Sequence, residues 1–234
     1  VLLTGEDHNP IQSPLHLTVV AQRLYFTIDN TGTGGSHELW SSDGVFASKF
    51  SDLAGTPAAT AAAGTNLFVL IGQDLYVTTP AGGLTQLTAV TAPLQLTASN
   101  GLLFFVQGGR LWSSDGSNGG TAEVTTIRPG TVAADNLLAA GGQLFFTVDD
   151  AAEVEVWIES ANKARLVRTI PAASDSPLLS VIDGVVLFPC VSGGDLELWK
   201  TDGTSANPRK VANIDGTGAR PRVASGIASV LSHR

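Results

Sequence analysis

The chain has 234 residues, of which 43% are hydrophobic and 15% are charged, with 26 glycines and 11 prolines. This globular composition excludes a disordered or collagen-like chain. Its 21 acidic and 13 basic side chains give a formal net charge of −8. That charge excludes the clustered lysines and arginines that nucleic acid or an anionic membrane surface requires. No segment approaches the ~18 apolar residues of a membrane span, so we expect neither a nucleic-acid partner nor a membrane-spanning segment.

A short apolar run recurs five times along the chain. The runs are centred on residues 25, 68, 104, 145 and 187, so that consecutive centres lie 36 to 43 residues apart. Each run is followed by a turn and then by a second element that carries one large aromatic residue. These residues are Trp40, Tyr76, Trp112, Trp157 and Trp199. A period of this length is typical of proteins whose repeated units stack on one another.

Each unit contains two further elements. An extended segment, such as 14–18 or 93–97, precedes the apolar run, and an alternating segment, such as 165–170, follows the aromatic residue and its polar turn. Alternation with a period of two, bounded by Gly, Pro and Asp, indicates strands. No stretch sustains the 3.6-residue apolar period of a capped helix. Adjacent apolar pairs such as Leu39-Trp40 indicate sheets that are covered on both faces.

The sequence therefore predicts an all-β fold, a β-propeller of four-stranded antiparallel blades. Five full blades are expected at about 14–56, 57–92, 93–131, 132–173 and 174–220. The termini, residues 1–13 and 221–234, are expected to share a reduced, composite sixth blade. Such a blade would close a single propeller over residues 1–234 and remove its open sheet edges. The alternative is a fragment whose remaining blades lie outside this chain.

Three segments carry the best-preserved motif. They read Glu-Leu-Trp-Ser-Ser-Asp-Gly at 38–44, Arg-Leu-Trp-Ser-Ser-Asp-Gly at 110–116 and Glu-Leu-Trp-Lys-Thr-Asp-Gly-Thr at 197–204. This pattern resembles the ELWxxDGT repeats of bacterial secreted and cell-surface proteins. The resemblance covers nearly the whole chain, although Tyr76 replaces the tryptophan of the second unit, and Thr79-Pro80 and Ser160-Ala161 replace Asp-Gly in the second and fourth. It implies propeller modules of large extracellular chains, a secreted or cell-surface location, an interaction or scaffold role and no reaction.

The turn carboxylates Asp43, Asp115 and Asp202 are the candidate binding residues. A ring of carboxylates would suit calcium, which needs about six to eight oxygens converging on one point. Asp and Gly are also the residues that a tight turn requires, the Asp as a hydrogen-bond acceptor and the Gly for positive φ. Because the second and fourth units lack the Asp, we favour the turn role and expect no metal and no cofactor.

Other residues admit a catalytic or sugar-binding interpretation beside a structural one. The tryptophans could be stacking platforms of a lectin, but packing between blades is the simpler role for an aromatic beside an apolar neighbour. Histidines 8, 16, 37 and 233 lack metal-binding spacing. The acidic residues Asp149, Asp150, Glu153 and Glu155 are expected at a solvated hairpin tip rather than in a glycosidase pair. The single cysteine, Cys190, lies in an apolar strand and is expected to be buried and inert, with a strand end or bulge at Pro189.

The sequence thus predicts a non-enzymatic extracellular binding, adhesion or assembly module that presents propeller loops to a protein partner or larger assembly. A carbohydrate-binding lectin with repeated pockets is the alternative, and a hydrolase with one site in the central channel is a third hypothesis. Pocket residues repeated in every blade would favour the lectin, and a unique cluster of acids or histidines would favour the enzyme.

Overall fold

The computed structural model describes residues 14–30, 36–79, 82–125, 127, 133–149, 153–160, 163–171, 178–192, 194–204 and 208–215. Within these ranges all regular structure is β-strand, and the strands form five antiparallel four-stranded sheets whose neighbours are consecutive in the chain. The predicted all-β fold with four-stranded propeller blades is confirmed. The predicted sixth blade, together with His8 and His233, lies outside the described residues. None of the described residues forms a helix able to cross a membrane.

We number the sheets as blades 1 to 5 in chain order. Blade 1 contains β1 (Leu15–Val20), β2 (Arg23–Asp29), β3 (His37–Ser42) and β4 (Ala47–Leu53). Blade 2 contains β5 (Pro57–Ala63), β6 (Asn66–Ile71), β7 (Asp74–Thr78) and β8 (Leu84–Gln86). Blade 3 contains β9 (Leu94–Ser99), β10 (Leu102–Gln107), β11 (Arg110–Ser114) and β12 (Thr121–Glu123). Blade 4 contains β13 (Ala133–Ala140), β14 (Gln143–Asp149), β15 (Glu153–Ser160) and β16 (Lys163–Pro171). Blade 5 contains β17 (Ser180–Ile182), β18 (Val185–Ser192), β19 (Asp195–Thr201) and β20 (Arg209–Asp215).

The chain divides into two compact units. Unit 1 comprises Val1–Gln107 and Trp112–Ala122, and unit 2 comprises Gly108–Leu111 and Glu123–Arg234. In unit 1, one apolar core lies between blades 1 and 2 and another between blades 2 and 3. In unit 2, a core lies between blades 4 and 5. Burial of a side chain as large as Phe68 or Phe188, both fully buried, contributes about 1.5–3 kcal/mol.

Two strands differ from the sequence-based expectation. The alternation at 123–127 predicts the last strand of blade 3 there, but the observed strand, β12, is Thr121–Glu123, and its first residue bonds the Ser114 hydroxyl of β11 at 2.7 Å. Pro189 does not end its strand, since β18 continues to Ser192 along β19. β17 pairs only with Val185–Leu187, so the missing N–H of Pro189 removes no bond on that side.

Candidate functional site

The candidate carboxylates Asp43, Asp115 and Asp202 lie in the turns between the third and fourth strands of blades 1, 3 and 5. Each accepts at Oδ1 a hydrogen bond from the backbone N–H two residues later, at 2.8 to 2.9 Å. Hydrogen bonds from the backbone, first from Phe46 for Asp43 and from Ser117 for Asp115, hold the pKa of both carboxyls below the usual value. In the described part of the chain, no three His, Cys, Asp or Glu side chains converge to hold a metal. These contacts are those of turn residues, and ligand binding by the three carboxylates stays a prediction.

Three of the tryptophans use their indole N–H within their own strand. The donor and acceptor pairs, at 2.8 to 3.0 Å, are Trp40 with Glu38, Trp157 with Glu155 and Trp199 with Glu197. Trp157 is buried, and the other tryptophans are half-buried. The rings of Trp40 and Trp112 also stack on Phe26 and Phe105, with centroids 6.5 and 6.3 Å apart. A covered ring whose N–H is already bonded offers little to a sugar, so this geometry favours the packing role.

The acidic hairpin of blade 4 differs from its prediction as a solvated tip. Asp149 and Glu153 are exposed, but Glu155 is only 5% exposed because it accepts the indole N–H of Trp157. Asp150 lies outside the described residues. Cys190 is buried at 2% exposure in the core of unit 2, as its apolar strand predicts. Neither Glu155 nor Cys190 belongs to a catalytic cluster in the contacts described for them.

The first strands of blades 1, 3 and 4 each contain a β-bulge at a residue with left-handed backbone. The residues are His16, Gln95 and Asn136, with φ of +50°, +54° and +52°. His16 Nδ1 lies 3.0 Å from Thr27 Oγ1, and Asn136 Nδ2 lies 3.1 Å from Thr147 Oγ1, so both side chains turn toward the neighbouring strand. Positive φ in a residue other than glycine costs free energy and is concentrated at functional sites. The bulge thus fixes a polar side chain at the same place in these blades.

In blade 1 the bulge forms part of a pocket that contains two histidines. The pocket has a volume of about 40 Å³, and its polar lining residues are His16, Thr27, Asp29, His37 and Thr56. Register pairs Asp29, the last residue of β2, with His37, the first residue of β3. Asp29 Oδ1 lies 3.5 Å from His37 Nδ1, and Thr56 Oγ1 lies 3.0 Å from His37 Nε2. The Thr56 hydroxyl, the His37 imidazole and the Asp29 carboxylate therefore form a chain of two successive contacts.

Blade 1 also carries an exposed apolar surface. We call it the outer face of blade 1 and define it by Leu17, Val19, Phe26 and Trp40, on the side opposite blade 2, together with Phe46, which is exposed in the adjoining turn between β3 and β4. The alternate side chains of the same strands, among them Val20, Tyr25 and Leu39, enter the core with blade 2. Phe26 is buried, but Leu17, Val19 and Phe46 are 58%, 65% and 72% exposed.

The corresponding face of blade 3 is covered. Leu96 and Ala98 of β9, which align with Leu17 and Val19, pack against the core between blades 2 and 3. The turn of blade 3 also contacts blade 2, since the Asn66 amide donates to the Asp115 carbonyl at 2.8 Å. The outer face of blade 1 therefore has the composition of a surface that packs against a neighbouring sheet.

The turns and the tryptophans were predictable from the sequence, but the pocket was not. His16 and His37 are 21 residues apart and have no motif spacing. The hairpin of blade 1 contains the information that brings two of its residues together, because aligning the second and third strands places Asp29 opposite His37. Thr56 follows β4 in the link to blade 2, a position that strand periodicity does not specify.

Comparison with known proteins gives fold similarity. The chain matches no protein-family model and no curated protein. It is similar to the crystal structure of the tricorn protease, with 15% identity and a TM-score of 0.35, over 88% of this chain and 21% of that chain. It is also similar to a puromycin hydrolase mutant in complex with PGG, with 13% identity and a TM-score of 0.41, over 86% of this chain and 39% of that chain. The chain thus spans less than two fifths of the length of either protein.

Proposed function

We propose that the chain is a binding and assembly module that docks a protein partner on the outer face of blade 1. The observation that carries this proposal is the exposure of Leu17, Val19 and Phe46, at 58%, 65% and 72%. The equivalents of Leu17 and Val19 in blade 3, Leu96 and Ala98, pack against a neighbouring sheet. Clustered exposed apolar side chains mark interaction surfaces in soluble proteins.

The chemistry of this face defines the partner. Leu17 and Val19 project from one strand at a spacing of two residues, as the apolar side chains of a packed sheet do. The partner is therefore a protein that offers the apolar face of a β-sheet. Covering a side chain such as Leu17 or Phe46 would contribute about 1.5–3 kcal/mol to binding before the entropic cost of association. The resemblance to ELWxxDGT repeats supports a secreted or cell-surface setting for this contact.

Thiol labelling tests whether the face is available. Leu17→Cys and Phe46→Cys are treated with a maleimide under native conditions. The native Cys190 is 2% exposed, so we expect it not to react with the maleimide. Leu94→Cys, at an exposed position of blade 3, is the positive control for accessibility. We expect the thiols at 17 and 46 to react as fast as the thiol at 94.

Protection of positions 17 and 46 while position 94 reacts would contradict the proposal, because the face would then be covered within the preparation itself. Protection that disappears on dilution would identify a second copy as the occupant. Protection that persists on dilution but is lost when residues 216–234 are deleted would identify the chain's own terminus.

Photo-crosslinking tests the partner. A photoreactive residue at position 46 is compared with one at Ile182, an exposed apolar position of blade 5. We expect a crosslinked protein only from position 46. Excess wild-type chain should compete for it, and excess Phe46→Lys chain should not. Equal crosslinking from both positions would overturn the docking role of this face.

A further inference from the structure

We propose that Thr56, His37 and Asp29 form a catalytic relay that hydrolyses small uncharged esters in the pocket of blade 1. This activity is separate from the docking function above, because none of the three residues belongs to the outer face. Thr56 is the nucleophile, His37 is the general base, and Asp29 is the positioning residue.

The geometry assigns a role to each ring nitrogen of His37. Nδ1 faces the Asp29 carboxylate at 3.5 Å, and Nε2 faces the Thr56 hydroxyl at 3.0 Å. A carboxylate beside Nδ1 favours the tautomer with hydrogen on that nitrogen. Nε2 then carries the lone pair and can take the hydroxyl proton. The contact between Nδ1 and Asp29, at 3.5 Å, is the longer one, and catalytic hydrogen bonds of this length commonly shorten when substrate binds.

The three residues are held by regular structure. Asp29 and His37 are a register pair of the β2–β3 hairpin, and the backbone N–H of Asn30 closes that hairpin on the Ser36 carbonyl at 3.2 Å. The His37 side chain is 14% exposed, so neighbouring atoms restrict its ring. Thr56, in contrast, is exposed, which leaves its hydroxyl open to an incoming acyl carbon.

The lining of the pocket selects the substrate. Leu15, Ile28 and Pro57 provide apolar walls beside the polar groups. The pocket has a volume of about 40 Å³, far below the ~300 Å³ at which sites for drug-sized ligands begin. It admits an acyl group no larger than acetyl, and the alcohol part of the ester would lie outside it. The Asp29 carboxylate and the net charge of −8 disfavour anionic substrates, and the apolar walls disfavour burial of a cationic group, so we assign uncharged esters.

His16 supplies the remaining polar group of the site. Its left-handed backbone, with φ of +50°, and its contact with Thr27 at 3.0 Å hold the ring in the same pocket. Thr27 Oγ1 donates to the Leu15 carbonyl at 3.3 Å, so the hydrogen between the two side chains belongs to His16 Nδ1.

The reaction is balanced without a cofactor. His37 Nε2 takes the proton of Thr56 as Thr56 Oγ1 bonds to the ester carbonyl carbon. Collapse of the tetrahedral intermediate breaks the bond to the alcohol oxygen, which leaves with the proton from His37. Water then adds to the acyl-threonine, again losing its proton to His37, and the carboxylic acid is released as Thr56 regains its proton.

The test uses the whole chain and p-nitrophenyl acetate as the probe. We expect release of p-nitrophenol above that of the same concentration of free imidazole, and an acetyl group on Thr56 by mass spectrometry. Thr56→Ala should remove both signals, and Thr56→Ser should keep them. His37→Gln should lower kcat about 100-fold or more, the usual contribution of a general base. Thr85→Ala, at an exposed threonine of β8, is the matched control and should leave the rate unchanged.

The role of Asp29 is separated from a structural one by the kinetic parameters. Asp29→Asn should lower kcat about tenfold with little change in KM, and Asp29→Glu should restore part of kcat. Thermal unfolding of each variant shows whether the fold is retained. A rate equal to free imidazole, a rate that survives Thr56→Ala in a folded chain, or acetylation confined to lysines would overturn the proposal.

Discussion

At the scale of single residues, the glycine of the Asp-Gly turn meets two separate demands. Gly44 and Gly116 follow the same Ser-Ser-Asp sequence and have the same φ of +94°. A Cβ at Gly44 would meet nothing within 4 Å, but a Cβ at Gly116 would lie 2.5 Å from Asn66 Nδ2. The first demand is backbone conformation, and the second is the close approach of blade 3 to blade 2.

Substitution of the two glycines by alanine separates these demands. Gly44→Ala adds only the left-handed backbone cost, about 1–2 kcal/mol. Gly116→Ala adds the same cost and also displaces the Asn66 amide from the Asp115 carbonyl, which costs about 1 kcal/mol more. Both glycines lie in unit 1, so urea unfolding followed by the same probe compares them directly. Equal destabilisation would contradict the packing role of Gly116.

At the scale of elements, the β19–β20 pair contains a carboxylate, that of Glu197, which bonds two neighbouring side chains. Glu197 accepts hydrogen bonds from Lys210 Nζ at 2.5 Å and from the indole N–H of Trp199 at 2.9 Å. Lys210 first, and Trp199 second, hold the pKa of Glu197 below its ordinary value of 4.5. Because the folded-state pKa is lowered, the stabilisation is present above the ordinary pKa and is lost as pH falls through the folded-state pKa.

Glu197→Gln is therefore expected to destabilise the chain most near pH 7. The difference in the free energy of unfolding between wild type and variant should shrink as the pH falls below the ordinary pKa of 4.5 and then through the lower folded-state pKa, because the wild-type carboxylate becomes protonated. Glu153→Gln, at an exposed position of β15, controls for the loss of one negative charge. Urea midpoints at several pH values measure the effect. If the difference in the free energy of unfolding between wild type and Glu197→Gln stays constant with pH, the negative charge of Glu197 contributes nothing to stability.

The elements also show how far sequence reasoning extends. The apolar runs and the tryptophan strands were predictable because β6, β10 and β14 are covered on both faces, which imposes a repeated composition. The bulge at His16 was not predictable, because left-handed backbone in a histidine has no compositional signal. The pocket was missed for a related reason. Its residues come from the end of one strand, the start of the next and a link between blades, so only the hairpin register brings them together.

At the scale of the whole molecule, the distribution of buried side chains determines how stability is shared. Phe68 is fully buried in unit 1, in the core between blades 2 and 3, and Phe188 is fully buried in unit 2, in the core between blades 4 and 5. No described residue belongs to more than one of these two cores. Each unit therefore has an apolar core of its own, and regions with separate cores open with separate free energies.

Replacing one of these rings tests that division. Phe68→Ala and Phe188→Ala each remove a fully buried ring, at a cost of about 3–5 kcal/mol. We expect Phe68→Ala to lower the hydrogen-exchange protection of β6 and β10 more than that of β14 and β18, and Phe188→Ala to do the reverse. Peptide-level exchange monitored by mass spectrometry measures both sets in one experiment. Equal loss of protection in both units from either substitution would contradict the separate stabilities. It would instead favour unfolding of all the blades as one cooperative unit, because a core lost in one unit would then destabilise every blade.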